Sequence, residues 1–276
     1  MAERLVGRYF AVNPAAGCLL AVWAAVSAAG CVSQTPNPSF PTRVESAQKD
    51  LGRMESQPRE LRRPLLVVGG ILDPGIASGW LKWEFESLTG DRRVIAVSLG
   101  DCLTLSDCRA KIVAAVERAY PSKSREQTAE VDVIGYSLGG LASRYAANPA
   151  QPGRRLRIAR LFAISSPLRG AAAAENLPLL HPMQADLRPG SHVLASLDAT
   201  DLKYPVYSYV CLNDVVIGEA NAALPGQTAW WLPDVPLIAA HGSAFYDPRI
   251  LADIARRLRD EPSLAQSPPA ALPAGG

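Results

Sequence analysis

Short apolar runs that end in small residues set the rhythm of this chain. Leu65-Leu66-Val67-Val68 runs into Gly69-Gly70, and Val131-Asp132-Val133-Ile134 runs into Gly135. An apolar run of that length reads as a strand buried on both faces. Arg93–Ser98, Ile158–Ile164, Pro205–Cys211 and Val235–Ile238 read as four further strands, Pro205–Cys211 with alternating Val and Tyr. Between the runs the apolar spacing becomes helical. Val44, Ala47, Leu51 and Met54 mark a short amphipathic helix within residues 42–58, and Trp80 to Leu88 a second. Ile112, Val113, Val116 and Ala119 mark a third, capped by Asp107 and closed by Pro121. Ile250, Leu251, Ile254 and Leu258 share one face of a last helix opened by Asp247-Pro248. Strands alternating with helices predict an α/β fold: a mainly parallel sheet of about six strands with helices on both faces. The widest gap, residues 167–204, leaves room for a small lid or none. From Glu261 onward the chain is mostly Pro, Ala, Ser and Gly, which predicts a disordered tail over 261–276.

The first 63 residues read differently from this core. Arg4 and Arg8 form a basic start, and Ala15 to Ala29 is an uncharged, largely apolar stretch. Its length suits a signal peptide better than a membrane span. The stretch ends Ser27-Ala28-Ala29-Gly30-Cys31, which resembles a bacterial lipobox with Ala28 where Leu is usual. That resemblance implies lipidation at Cys31, export, and attachment to a membrane of the cell envelope. Ordinary signal cleavage and an uncleaved anchor are the alternatives. Residues 32–63 then form a Pro-rich tether and the short helix. Export also bears on the other cysteines: Cys102 and Cys108 enclose five residues and are expected to pair, whereas Cys211 reads as a buried small hydrophobe.

Composition narrows the function. With 276 residues, 48% of them hydrophobic and 20% charged, the chain can bury one large core over residues 64–260. A net charge of +2 without a basic, aromatic-interleaved cluster excludes a nucleic-acid partner. No CxxC or HExxH spacing occurs, so neither a metal nor another cofactor is expected.

The chemistry concentrates at Gly135-Tyr136-Ser137-Leu138-Gly139, where a strand passes through a sharp turn into the helix of Gly140–Ala146. A serine on such a turn sits in strained backbone with its hydroxyl clear of the sheet. The positions two before and two after it must be small, and here both are Gly. The following helix aims free N–H groups and its positive end at the same point. A serine hydroxyl needs a base held by an acid. Three histidines are present, and only His241 follows a strand end; His181 and His192 fall in the preceding connection. Asp214 follows the fifth strand, which puts it at the same sheet edge, whereas Asp198, Asp201 and Asp234 read as loop residues. Leu138 is one expected oxyanion donor, as the residue after the nucleophile. A second should come from the Gly-rich loop 69–75.

Gly69-Gly70-Ile71, Gly135–Gly139, Asp214-Val215-Val216 and His241 together resemble an α/β-hydrolase of the small bacterial lipase and esterase type, over about residues 64–260. Ser165-Ser166-Pro167-Leu168-Arg169-Gly170 and Arg188-Pro189-Gly190-Ser191 are similar to two further turns of that family. The resemblance implies an α/β-hydrolase fold and an oxyanion donor at Ile71. It also shows a departure, since Gly69 stands where the family carries a His that supports this loop. The expectation is a serine hydrolase that cleaves small-molecule or lipid esters through Ser137, His241 and Asp214. Trp80, Trp83, Trp230 and Trp231 are candidates for an acyl pocket. An acyltransferase on the same triad and a non-catalytic envelope protein are the alternatives.

Overall fold

The structure, a computed structural model, describes residues 39–176, 181–233 and 237–273. The expected signal peptide, Cys31 and the first part of the tether lie outside the described residues. Within them, six strands form one all-parallel sheet: β1 (Leu65–Val68), β2 (Val94–Val97), β3 (Gln127–Tyr136), β4 (Arg155–Ile164), β5 (Val206–Cys211) and β6 (Trp230–Leu232). Their order is β2-β1-β3-β4-β5-β6, and every pairing is parallel. The chain reverses its winding between β1 and β3. In such sheets a crevice opens at the carboxyl ends of the strands flanking that reversal.

Side-chain alternation distributes the core. Leu66 and Val68 of β1 join one apolar cluster with Ile112 and Val116 of α3 (Leu105–Ala119) and Leu141 of α4 (Leu138–Ala147). Leu65 and Val67 join the other, with Met54 of α1 (Val44–Ser56), Phe85 of α2 (Ile76–Thr89) and Ile254 of α8 (Pro248–Leu258). Helices therefore cover both faces, and β1 is buried along its whole length. The remaining helices are short: α5 (Ala172–Asn176), α6 (His192–Asp198) and α7 (Leu237–Ser243).

Four sequence expectations are corrected. The sixth strand is Trp230–Leu232, and Leu237-Ile238 instead open α7. A short apolar run does not separate a buried strand from a buried helix by period alone. Helix α3 is capped by Thr104, with Asp107 as the reciprocal member of a capping box. The Cys102–Cys108 disulfide is not formed. Both thiols are buried in the cluster under α3, where Cys108 Sγ lies 3.9 Å from Met183 Sδ, and burial, then the neighbouring Cys102, pushes the Cys108 thiol up. A thiol held protonated is a poor partner for disulfide exchange. Cys211 is buried as expected.

The fourth correction is the tail, which is ordered over residues 261–273 and packs on the sheet. Asp253 Oδ1 accepts from Leu264 N and Ala265 N at 2.7 and 2.8 Å, while its other oxygen accepts from Tyr209 Oη and Arg257 Nε. The indoles of Trp230 and Trp231 donate to the carbonyls of Gln266 and Ala270. Both tryptophans are thus buried at the β6 edge, where their indoles serve the tail rather than an acyl pocket.

One carboxylate in this shell is tuned by burial. Glu84 of α2 is pushed up to about 7 by desolvation and then by the charge of Glu55 on α1. A carboxyl with a raised pKa binds more protons folded than unfolded, so its stabilising share is present at low pH and is lost as pH rises from the ordinary carboxylate range through about 7. Glu84→Gln should therefore leave stability unchanged near pH 4 and raise it by roughly 1–3 kcal/mol at pH 8. Denaturant titrations at the two pH values check this, and equal effects at both would refute it.

Candidate active site

Ser137 follows β3 and precedes α4 with φ 53° and ψ −127°. The backbone holds this unfavourable conformation because both sides are fixed. Ser137 N donates to Ile164 O of β4 at 2.9 Å, and Gly140 N closes the turn onto Ser137 O. The flanking glycines are sterically required. A Cβ on Gly135 would stand 2.4 Å from Gly140 N, and one on Gly139 2.2 Å from Val68 O. Leu72, Ser165 and Asn213 also take positive φ, after β1, β4 and β5 respectively. Backbone strain is thus concentrated at the carboxyl edge of the sheet, as expected where side chains must be presented accurately.

The three expected side chains meet at that edge. His241 Nε2 lies 3.0 Å from Ser137 Oγ. His241 Nδ1 lies 2.9 and 3.1 Å from the two oxygens of Asp214. Asp214 is fully buried, and its Oδ1 also accepts from Val216 N and Ile217 N. A carboxylate has only acceptor oxygens, so it accepts a hydrogen bond from Nδ1–H, which leaves the Nε2 lone pair facing the serine. His241 is carried by α7 rather than by a strand end. Tyr136, the residue before Ser137, donates from its hydroxyl to His241 O at 3.4 Å and packs its ring 5.5 Å from the imidazole. The strand that delivers the nucleophile therefore also positions the base.

The other histidines and aspartates lie elsewhere. His181 accepts from Met183 N at the cap of a 3-10 turn, and His192 is exposed at the start of α6. Asp198 pairs with Arg144, Asp201 is an exposed partner of Lys203, and the side chain of Asp234 lies outside the described residues. Trp80 packs edge-on against Phe245, which touches Tyr136, so it flanks the site; Trp83 is exposed on α2.

The loop after β1 reaches the serine. A Cβ on Gly70 would lie 3.0 Å from Ser137 Cβ, so only glycine lets this backbone approach. Ile71 follows in that loop, and Leu138 begins α4; at a helix start the first N–H has no intrahelical acceptor. These are the two amides that the sequence reading expects as oxyanion donors.

The support of this loop is a residue that sequence reasoning missed. Asp73 is buried, and its carboxylate accepts from Gly75 N, Ala77 N and Ser78 N at 3.0, 3.1 and 3.2 Å. It lies so close to Gly69 that a Cβ there would meet Asp73 Oδ2 at 2.1 Å. Gly69 and Asp73 thus share one space, and the carboxylate fills it. The signal was the Asp-Pro-Gly turn, which places an acceptor just before a helix start. Asp73→Ala should cost about 1–3 kcal/mol of stability through the freed amides and lower turnover by about 10²-fold through a displaced oxyanion donor. A variant with wild-type kcat and lowered stability would show that the carboxylate supports only α2.

Comparison of the chain with protein-family models and with curated proteins finds no match.

Proposed function

We propose that this chain is a serine hydrolase of the α/β-hydrolase type that cleaves carboxylic esters. The observation that carries the reading is the continuous relay from Asp214 through His241 to Ser137, with contacts of 2.9 and 3.0 Å. A buried carboxylate, an imidazole in the matching tautomer and a strained serine at a helix start form a nucleophile–base–orienter set. The sheet order, with the serine after β3 beside the reversal point, agrees with such a fold.

In this reading Ser137 Oγ attacks the ester carbonyl carbon while its proton passes to His241 Nε2. The carbonyl electron pair moves to oxygen, which the Ile71 and Leu138 amides receive. The intermediate collapses, the C–O bond to the alcohol breaks, and His241 returns the proton to the leaving oxygen. Water then attacks the acyl-serine by the same route, releasing the acid and restoring Ser137. Asp214 holds the imidazole and stabilises its protonated form. Leu72, Leu103 and Val215, between 57% and 70% exposed, stand on loops leaving the carboxyl ends of β1, β2 and β5, and Ile76, 51% exposed, opens α2. This apolar surround favours esters with an apolar acyl group.

The test is a chain-length series of p-nitrophenyl esters with the purified protein, together with a fluorophosphonate probe. Turnover and probe attachment to Ser137 are expected. An unlabelled Ser137 with no turnover of any ester would overturn the proposal.

A further inference from the structure

Three sulfur atoms that the relay does not use meet under the start of α3. Cys108, on that helix, has Sγ 3.9 Å from Met183 Sδ. Cys102, in the loop after β2, supplies the third sulfur, and its thiol hydrogen-bonds with that of Cys108. All three side chains belong to one apolar cluster and are buried. Met183 stands in the 3-10 turn Pro182–Gln184, 75 residues from Cys108, so no ligand spacing in the sequence marks the group. Among the described residues, no three His, Cys, Asp or Glu side chains gather to hold a metal; here a thioether takes the third place.

The spacing has a meaning in coordination chemistry. Three sulfurs bonded at about 2.3 Å to one ion in their plane stand about 4 Å from each other. The Cys108–Met183 separation matches one edge of that triangle. An ion there takes the place of the two thiol hydrogens, so the cluster need not open a cavity. Two thiolates and a thioether are a soft donor set that selects monovalent copper, whereas zinc takes four ligands in a tetrahedron. The carboxylates beside the thiols are engaged elsewhere. Asp101 pairs with Lys111, and Asp107 accepts from Leu103 N and Thr104 N. Cys102 Sγ lies 4.0 Å from Asp101 Oδ1, and the Asp101 side chain is 74% exposed, which gives the sulfurs a short path to solvent.

We propose that Cys102, Cys108 and Met183 form a binding site for one soft monovalent metal ion, copper(I). On binding, each thiol passes its proton to water, two thiolate–copper bonds form, and Met183 Sδ donates a lone pair for the third. Copper keeps its oxidation state, so the step needs neither oxidant nor reductant. The ion brings its own positive charge in place of the protons, so the burial that disfavours a bare thiolate does not forbid a bound one. The complex carries one negative charge, beside Lys111 and the positive end of α3. It would tie the loop after β2 to the 3-10 turn that precedes α6. The site shares no residue with the relay and stands whether or not the chain is an esterase.

The full-length protein, reduced and kept free of oxygen, is titrated with copper(I) held by bicinchoninate, and the bound ion is read by X-ray absorption. The protein should withdraw copper from the chelator and show three sulfurs at about 2.3 Å. Silver(I), which has the same charge and softness, should raise the melting temperature through binding to the folded state. Met183→Leu keeps the apolar packing, and should weaken copper binding about tenfold or more and leave two sulfurs on the ion. Cys108→Ser should lose the site, whereas Cys211→Ser, altered in the other apolar cluster, should bind as wild type. No withdrawal of copper, two-sulfur or nitrogen and oxygen coordination in the wild type, or a tight site that survives both Met183→Leu and Cys108→Ser, as one built on Cys18 and Cys31 would, overturns the proposal. If Cys108→Ser fails to fold, Met183→Leu and the wild-type absorption spectrum decide.

Discussion

Ser137→Ala is expected to give a protein with wild-type stability and no ester turnover above background. The substitution removes one oxygen and adds nothing, so the close approach of Gly70, 3.0 Å from the position of a Cβ to Ser137 Cβ, is undisturbed. The backbone bond from residue 137 to Ile164 O does not depend on the side chain. Stability should therefore stay within about 0.5 kcal/mol. The acyl-enzyme route is closed, and the loss in kcat should be on the order of 10⁴–10⁶. Initial rates on the best p-nitrophenyl ester, beside a thermal melt, make the comparison. A purified variant that kept a few per cent of activity would remove Ser137 as the nucleophile.

The second large effect belongs to Asp214. In Asp214→Asn the carboxamide oxygen must face Val216 N and Ile217 N, which the carboxylate now serves. Its NH₂ then faces His241 Nδ1 and forces that nitrogen to accept. The ring proton moves to Nε2, which can no longer take a proton from Ser137. A loss of about 10⁴ in kcat is expected, with little change in KM. Asp201→Asn is the control, since that side chain is 91% exposed beside Lys203 and should behave as wild type. Asp198→Asn separates two effects: it should weaken the fold through the buried Arg144 and leave kcat near wild type. If turnover followed Asp201 or Asp198 instead, the orienting role would pass to that residue.

Local pattern carried the candidate site well because each of its parts has a local cause. Gly135 and Gly139 are required by contacts a few residues away, and Ser137 stands between a buried strand and a helix that the pattern also predicts. Asp214 and His241 were legible by position after apolar runs, although the run before His241 is not a strand. There the sheet took Trp230–Leu232, because pairing with Tyr209–Cys211 is a long-range choice that two similar apolar runs do not reveal. Asp73 was missed for a related reason. Its role depends on Gly69 and on three amides of the next helix start, and the sequence shows only a turn. Composition does not show the order of the tail, because Asp253 and the two indoles that hold it lie up to 40 residues away in sequence.

That tail has a consequence for how the molecule behaves among its own copies. β6 is the last strand of the sheet and is only three residues long. A sheet that ended there in the open would offer unpaired backbone and two large indoles to any neighbouring chain, a ready template for edge-to-edge association. Residues 264–271 lie across this margin instead, with the tryptophan N–H groups turned onto their carbonyls and Arg257 stacked on the Trp230 ring at 4.8 Å. The proline-rich composition suits that duty, since prolines carry no N–H with which to recruit a further strand. A chain cut after Asp260 should therefore keep the edge that carries Ser137 and lose its colloidal solubility, with aggregation rising steeply with concentration.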